Sequence, residues 1–154
     1  MKARTVLLSL ALCFAGAAAG FAQGPLMGTW KLNEAKSQFS PGSVKNTNVV
    51  YSAEGDNVKV TTDGTDSTGK PSHTEWVGKL DGKGYPVTSD ATIDSRSYKK
   101  INEHTLAMSN IKGGKVVSTG RIAVSADGKT RTLSITGTDS AGKKFTEVAV
   151  YDKQ

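Results

Sequence analysis

From residue 24 onward, short runs of Val, Thr, Ile and aromatic residues alternate with polar ones, and clusters of Gly, Asp, Asn, Ser and Lys punctuate them. Period-two alternation between tight-turn residues is the pattern of many short strands, and no window carries a helical period. Val58 and Val60 fall on one face of such a run, with Lys59 and Thr61 on the other. In the next run Thr74, Trp76, Gly78 and Leu80 share a face opposite His73, Glu75 and Lys79, and the Trp76 face is assigned to the interior. Strands are expected at about 27–33, 47–52, 58–62, 73–80, 92–101, 105–111, 116–125, 130–136 and 145–152, eight or nine in sequence-neighbour order. Residues 81–86 read as a turn because Gly82, Gly84 and Pro86 crowd there. A short helical turn fits Glu34-Ala35-Lys36, stopped before Pro41.

The strand at 92–101 is the hardest to phase. Ile93 and Ile101 share one face while Arg96 and Tyr98 share the other. Either a charge faces inward, where it would serve a ligand, or an edge or bulge swaps the faces, and the bulge is the preferred reading.

The chain also repeats itself. Residues 51–55 and 64–70, followed by Thr74-Glu75, return about seventy positions later as 124–128 and 137–143, followed by Thr146-Glu147. Each copy is expected to form the same three-strand meander, with its Gly-Thr-Asp-Ser-x-Gly-Lys segment as a turn on one common rim. The repeat also makes Glu75 and Glu147 equivalent, both expected to face solvent or a neighbouring lysine.

An open sheet of this length would leave two unpaired edges, and closure removes both. The expected fold is therefore all-β, a single antiparallel up-and-down barrel of about eight or nine strands with an internally duplicated three-strand meander. An outer-membrane barrel would need an apolar outer band. The expected outward positions are Lys59, Thr61, Glu75, Lys79, Thr132 and Ser134, which favours a soluble barrel.

The first residues change the setting. A basic start at Lys2 and Arg4, an apolar run from Val6 to Ala19 broken by Ser9 and Gly16, and small residues up to Ala22 describe a cleaved export signal at 1–22. Cleavage is placed after Ala22, and the run Ala17-Ala18-Ala19-Gly20 offers a second site. The domain is then 23–154, and the expected location is the periplasm or the exterior. Cys13 is the single cysteine and sits within the apolar run, behind Leu12 rather than a small residue, so it reads as signal core. The mature chain is left without disulfides or thiol chemistry. Loss of Lys2 and Arg4 takes the formal charge from +6 to +4, with lysines scattered among acids. That pattern gives no nucleic-acid stripe and leaves only weak attraction to anionic envelope surfaces.

Chemistry is sparse. His73 and His104 have no ligand spacing, so no metal is expected. Asp63, Asp66 and Ser67 read as Asx turns rather than a calcium loop. No Gly-x-Ser-x-Gly elbow aims a serine, and Lys112-Gly113-Gly114-Lys115 is a hairpin with no helix behind it to hold phosphate. No cofactor and no catalysis are expected.

Gly28-Thr29-Trp30 resembles the Gly-x-Trp signature of the lipocalin (calycin) superfamily. The resemblance implies a barrel whose Trp30 plugs one end beneath a basic residue of a late strand, Arg121 or Arg131, with Arg121 preferred and Gly28 beside it. The chain is also similar to small exported bacterial proteins of unassigned activity that carry Gly-Thr-Trp-Lys-Leu-Asn (28–33) and Val-Ala-Val-Tyr (148–151). The expected role is that of a monomer binding a small apolar or amphiphilic molecule through Trp76, Tyr98, Met108 and Arg96. The competing role is a filled barrel serving as an envelope structural or protein-interaction module.

Overall fold

The alternation read from the sequence is carried out by ten antiparallel strands in a computed structural model that describes residues 24–154. The export-signal expectation for 1–22, and Cys13 with it, lies outside the described residues. The strands are β1 (Gly28–Leu32), β2 (Lys45–Glu54), β3 (Asn57–Thr65), β4 (Pro71–Gly78), β5 (Asp81–Thr88), β6 (Ser95–Asn102), β7 (Thr105–Lys112), β8 (Lys115–Val124), β9 (Thr130–Thr138) and β10 (Lys144–Lys153). Each pairs with its sequence neighbour. β1 pairs with both β2 and β10 and so closes the barrel.

The additional strand is β5, placed where a turn was expected. Glycine and proline weaken strand propensity, and β5 pairs with β4 only at Glu75↔Thr88 and Trp76↔Val87. Tyr85 explains the short pairing: its ring lies across Gly78, where an added Cβ would come within 2.5 Å of it. The following strand resolves the ambiguity at Arg96. Arg96 and Tyr98 pair with Asn110 and Met108, the ladder slips between Lys100 and Asn102, and Ile101 is left 50% exposed. Both readings of that segment therefore hold, an inward charge followed by a bulge.

The two repeats form matching hairpins. Asp66 Oδ1 accepts the amides of Thr68 and Lys70 at 2.8 and 3.0 Å; Asp139 Oδ1 accepts those of Ala141 and Lys143, both at 2.9 Å. Gly69 and Gly142 supply the left-handed residue of each turn, with φ of 82° and 79°. The strands that follow differ by one residue. Three residues separate Lys70 from Thr74 and two separate Lys143 from Thr146, so the Thr-Glu pair changes faces as period two dictates. Thr74 points inward, its hydroxyl 2.6 Å from that of Thr62, and Glu75 meets Lys59 outside at 3.1 Å. Glu147 instead turns toward the segment joining β1 to β2, where it accepts from the Ser40 amide at 3.3 Å and from the Ser43 hydroxyl. The expected equivalence of Glu75 and Glu147 is thus corrected.

The core fills the barrel from the end where β1 begins, the base. Trp30, Trp76, Tyr151, Leu106, Ile122, Val49 and Val60 are its largest fully buried side chains. At the opposite end, the mouth, the segment between β1 and β2 makes one 3₁₀ turn (Glu34–Lys36) capped by Asn33 and bridges to β10 at Gln38↔Val148. Its Phe39 packs onto the core.

Candidate functional site

Inward positions of neighbouring strands meet along the hydrogen-bond ladders, and at the mouth this brings polar residues together. Arg96 of β6 donates its Nε–H to Asn110 Oδ1 at 2.6 Å. Asn110 Nδ2 in turn donates to Ser118 Oγ at 2.9 Å. Asn110 and Ser118 are buried and Arg96 is half-buried. No carboxylate among the described residues lies within ion-pair distance of Arg96.

The four residues chosen from the sequence are neighbours. Trp76 and Tyr98 stack edge-to-face with centroids 4.7 Å apart, Tyr98 pairs with Met108, and Trp76 Nε1–H donates to the Arg96 carbonyl at 2.8 Å. Trp76, Tyr98 and Met108 are only 1%, 2% and 6% exposed, so they fill the barrel rather than line a space. Their contribution is packing, and Trp76 fixes the backbone of Arg96 through its carbonyl.

Ser118 also stands in the wall of a shallow, solvent-open recess of about 360 Å³ between the mouth ends of β8, β9 and β10, lined with it by Val117, Thr119, Thr136, Lys144 and Phe145; Arg96 and Asn110 lie outside that wall. Two features open it. The β7–β8 ladder slips between Asn110 and Ile111, and β8–β9 pairing begins only at Ser118↔Gly137. The inward side of Gly137 is itself closely packed: a Cβ there would come within 2.4 Å of Ser118 and 2.9 Å of the Phe145 ring. Asn110, Ser118 and the recess were missed from sequence, although Asn110 stands in phase with Leu106 and Met108, which is the signal that would have found it.

At the base, the expected plug is present with a different partner. Trp30 is 0% exposed and donates its indole N–H to the Leu26 carbonyl at 3.1 Å. The cation over its ring is Lys153, with Nζ 4.9 Å from the centroid. Gly28 makes room for that side chain: φ is 108°, and a Cβ there would approach Lys153 Cε to 3.2 Å. Arg121 lies on the exposed face of β8, because Gly120 and Ile122 hold the inward phase, so the preference for Arg121 is corrected. Arg131 is the interior arginine, 3% exposed, but it sits between Tyr151 and Tyr51 with its Cζ 4.7 and 5.4 Å from their ring centroids. Its Nη2 donates to Tyr51 Oη at 3.0 Å, while Nε and Nη1 have no partner among the described residues. Burial pushes the hydroxyls of Tyr51 and Tyr151 up despite the pull of Arg131, so both stay neutral at physiological pH.

Both histidines lie apart from the mouth's polar chain. His104 is half-buried by the β6–β7 turn, its amide held by Asn102 Oδ1. His73, on the outer face of β4, holds Asp63 Oδ1 at 2.6 Å and lies 3.6 Å from Glu75. The Asp63 hydrogen bond raises its pKa above 6.5. A raised histidine stabilises the fold fully below the unfolded value and loses that contribution as pH rises through the folded one. An NMR titration of the His73 ring is expected to give a midpoint above 6.5, moving back down in Asp63→Asn. A midpoint at or below the ordinary value would remove the pairing.

No family model matches the chain, and no curated protein matches it. Among solved structures it is similar to a redesigned β-barrel, mFAP1, bound to DFHBI, at 16% identity over 84% of this chain and 95% of that one, with a TM-score of 0.43.

Proposed function

We propose that the chain is exported and acts as a monomeric, non-catalytic, lipocalin-like barrel that binds a small, partly apolar molecule at its mouth. The observation that carries this is the polar chain from half-buried Arg96, which has no carboxylate partner among the described residues, through Asn110 to Ser118, the residue that the chain shares with a solvent-open recess of about 360 Å³. Ligand sites typically occupy about 300–1,000 Å³ and combine apolar walls with a few placed polar groups. Val117 and Phe145 are apolar walls of the recess, and Ser118, Thr119, Thr136 and Lys144 its polar groups. Binding at the mouth rather than deep in the barrel follows from the packing of Trp76, Tyr98 and Met108. Export rests on the pattern of residues 1–22.

That same packing favours the second reading, a filled barrel used as an envelope structural or interaction module. Native mass spectrometry and tryptophan-quenching screens with lipids and aromatic compounds separate the two. Saturable one-to-one binding is the expected result. A folded protein that takes none of them moves the assignment to the interaction module.

A further inference from the structure

We propose that Tyr85 is an oxidation site: when a one-electron oxidant, such as an oxygen-derived radical, removes an electron from Trp76 in the core, Tyr85 replaces it and passes its phenolic proton to the Asp81 carboxylate. The site is separate from the mouth and does not depend on a ligand there. Four rings lie in one contact path. Tyr51 and Tyr98 have centroids 6.2 Å apart, Tyr98 and Trp76 4.7 Å, and Trp76 and Tyr85 5.8 Å, all edge-to-face. Electron tunnelling falls off steeply with distance, and rings this close exchange an electron directly. Tyr51, Tyr98 and Trp76 are buried and Tyr85 is half-buried, so the path leads from the core towards the surface. Tyr85 is held firmly at its end, with its ring against Gly78 and its hydroxyl donating to Asp81 Oδ2 at 3.1 Å.

Charge decides where the missing electron settles. A tyrosine that loses an electron becomes a strong acid, so its oxidation is favoured where a base stands within hydrogen-bond reach to take the proton. Of the four tyrosines, Tyr85 is the one whose hydroxyl donates to a carboxylate among the described residues. The Lys83 amide holds Asp81 below the ordinary carboxylate range, which keeps it a base at neutral pH. Desolvation and the bond to Asp81 hold Tyr85 above the ordinary phenol value, so its proton is there to be given. The far end of the path carries the opposite sign. Arg131 lies over Tyr51 and Tyr151, its Cζ 5.4 and 4.7 Å from their centroids, and Lys153 lies over Trp30. A positive hole beside either cation is penalised. No cation lies over Trp76 or Tyr85 among the described residues. One electron and one proton move in all: Trp76 gives an electron to the oxidant and takes one from Tyr85, and Tyr85 ends as a neutral radical with its proton on Asp81.

Laser photoionisation of tryptophan in the folded protein, with hexaamminecobalt(III) as irreversible electron acceptor, makes the hole inside the core, and transient absorption follows it. In the native chain the tryptophan radical signal is expected to give way to a tyrosyl signal, and a nitroso spin trap with peptide mapping to place the adduct on Tyr85. Trp30→Phe leaves Trp76 as the sole tryptophan and keeps the conversion, whereas Trp76→Phe leaves Trp30 beneath Lys153 and loses it. Tyr85→Phe keeps the ring and abolishes the tyrosyl signal. Asp81→Asn keeps an acceptor without the charge and slows the conversion about tenfold, the size of a hydrogen bond to a charged group; deuterated solvent slows it in the native chain. Tryptophan radicals that decay equally fast in the native chain and in Tyr85→Phe overturn the proposal, and so does an adduct on Tyr51, Tyr98 or Tyr151. A native rate in Asp81→Asn, with no deuterium effect, overturns the assignment of the proton to Asp81.

Discussion

Replacing Trp30 by alanine is expected to cost about 3–5 kcal/mol, the range for deleting a fully buried large aromatic. For a domain of this size that lowers Tm by roughly 10–20 °C. Three contacts are lost together. The indole fills the space beneath Leu26, its N–H satisfies the Leu26 carbonyl, and its face carries Lys153. The cavity would lie where the first strand pairs with both the second and the last, Trp30 opposite Val49 on one side and Lys153 on the other. That is the seam at which the sheet closes, so little neighbouring structure is free to collapse into the gap. Urea unfolding of the mature chain measures it. A loss under about 1 kcal/mol, as at ordinary surface sites, would mean that the closure is held by the ladder hydrogen bonds alone. Trp30→Phe keeps the apolar body and removes the N–H, and it should recover most of the loss.

The barrel was legible in the sequence wherever a strand buries one face. Val58, Val60 and Trp76 all stand on the inward phase that alternation assigns them. It was illegible where backbone and side chain disagree. β5 has Gly82, Gly84 and Pro86 in eight residues and is kept in the sheet by Tyr85 and Val87 packing on Trp76, a tertiary cause that composition does not announce. The repeat predicted two equivalent turns correctly and two equivalent glutamates wrongly, because a one-residue difference in spacing leaves a turn intact and reverses a strand. Of the site, Trp76, Tyr98, Met108 and Arg96 could be grouped from their phase alone. The recess could not, since it depends on a ladder slip beside Asn110 and on where β8 and β9 part, and neither has a residue-type signature. The choice between Arg121 and Arg131 was likewise a question of phase, and Ile122 and Leu133 as inward neighbours decide it.

Arg131 itself should be dispensable for stability, whereas its partner Tyr51 should not. A desolvated guanidinium with Nε and Nη1 unpaired is kept by one hydrogen bond and two aromatic faces, and the cost of burying it is of the same order as what those contacts return. Arg131→Met retains the apolar stem among Tyr51, Tyr151 and Leu133, and it is expected to leave stability within about 1 kcal/mol of the native chain or to raise it. Tyr51→Phe leaves the cation in place and removes the acceptor that Arg131 has among the described residues, so it should cost about 2–3 kcal/mol. If the damage in Tyr51→Phe comes from the stranded charge, adding Arg131→Met to it should restore most of the lost stability, a coupling that a double-mutant cycle in urea reads directly. Additive effects would place the damage in tyrosine packing instead. A loss above about 3 kcal/mol for Arg131→Met alone would mean that the stacking on Tyr51 and Tyr151 outweighs the desolvation of the charge, making the arginine part of what holds the base of the barrel together.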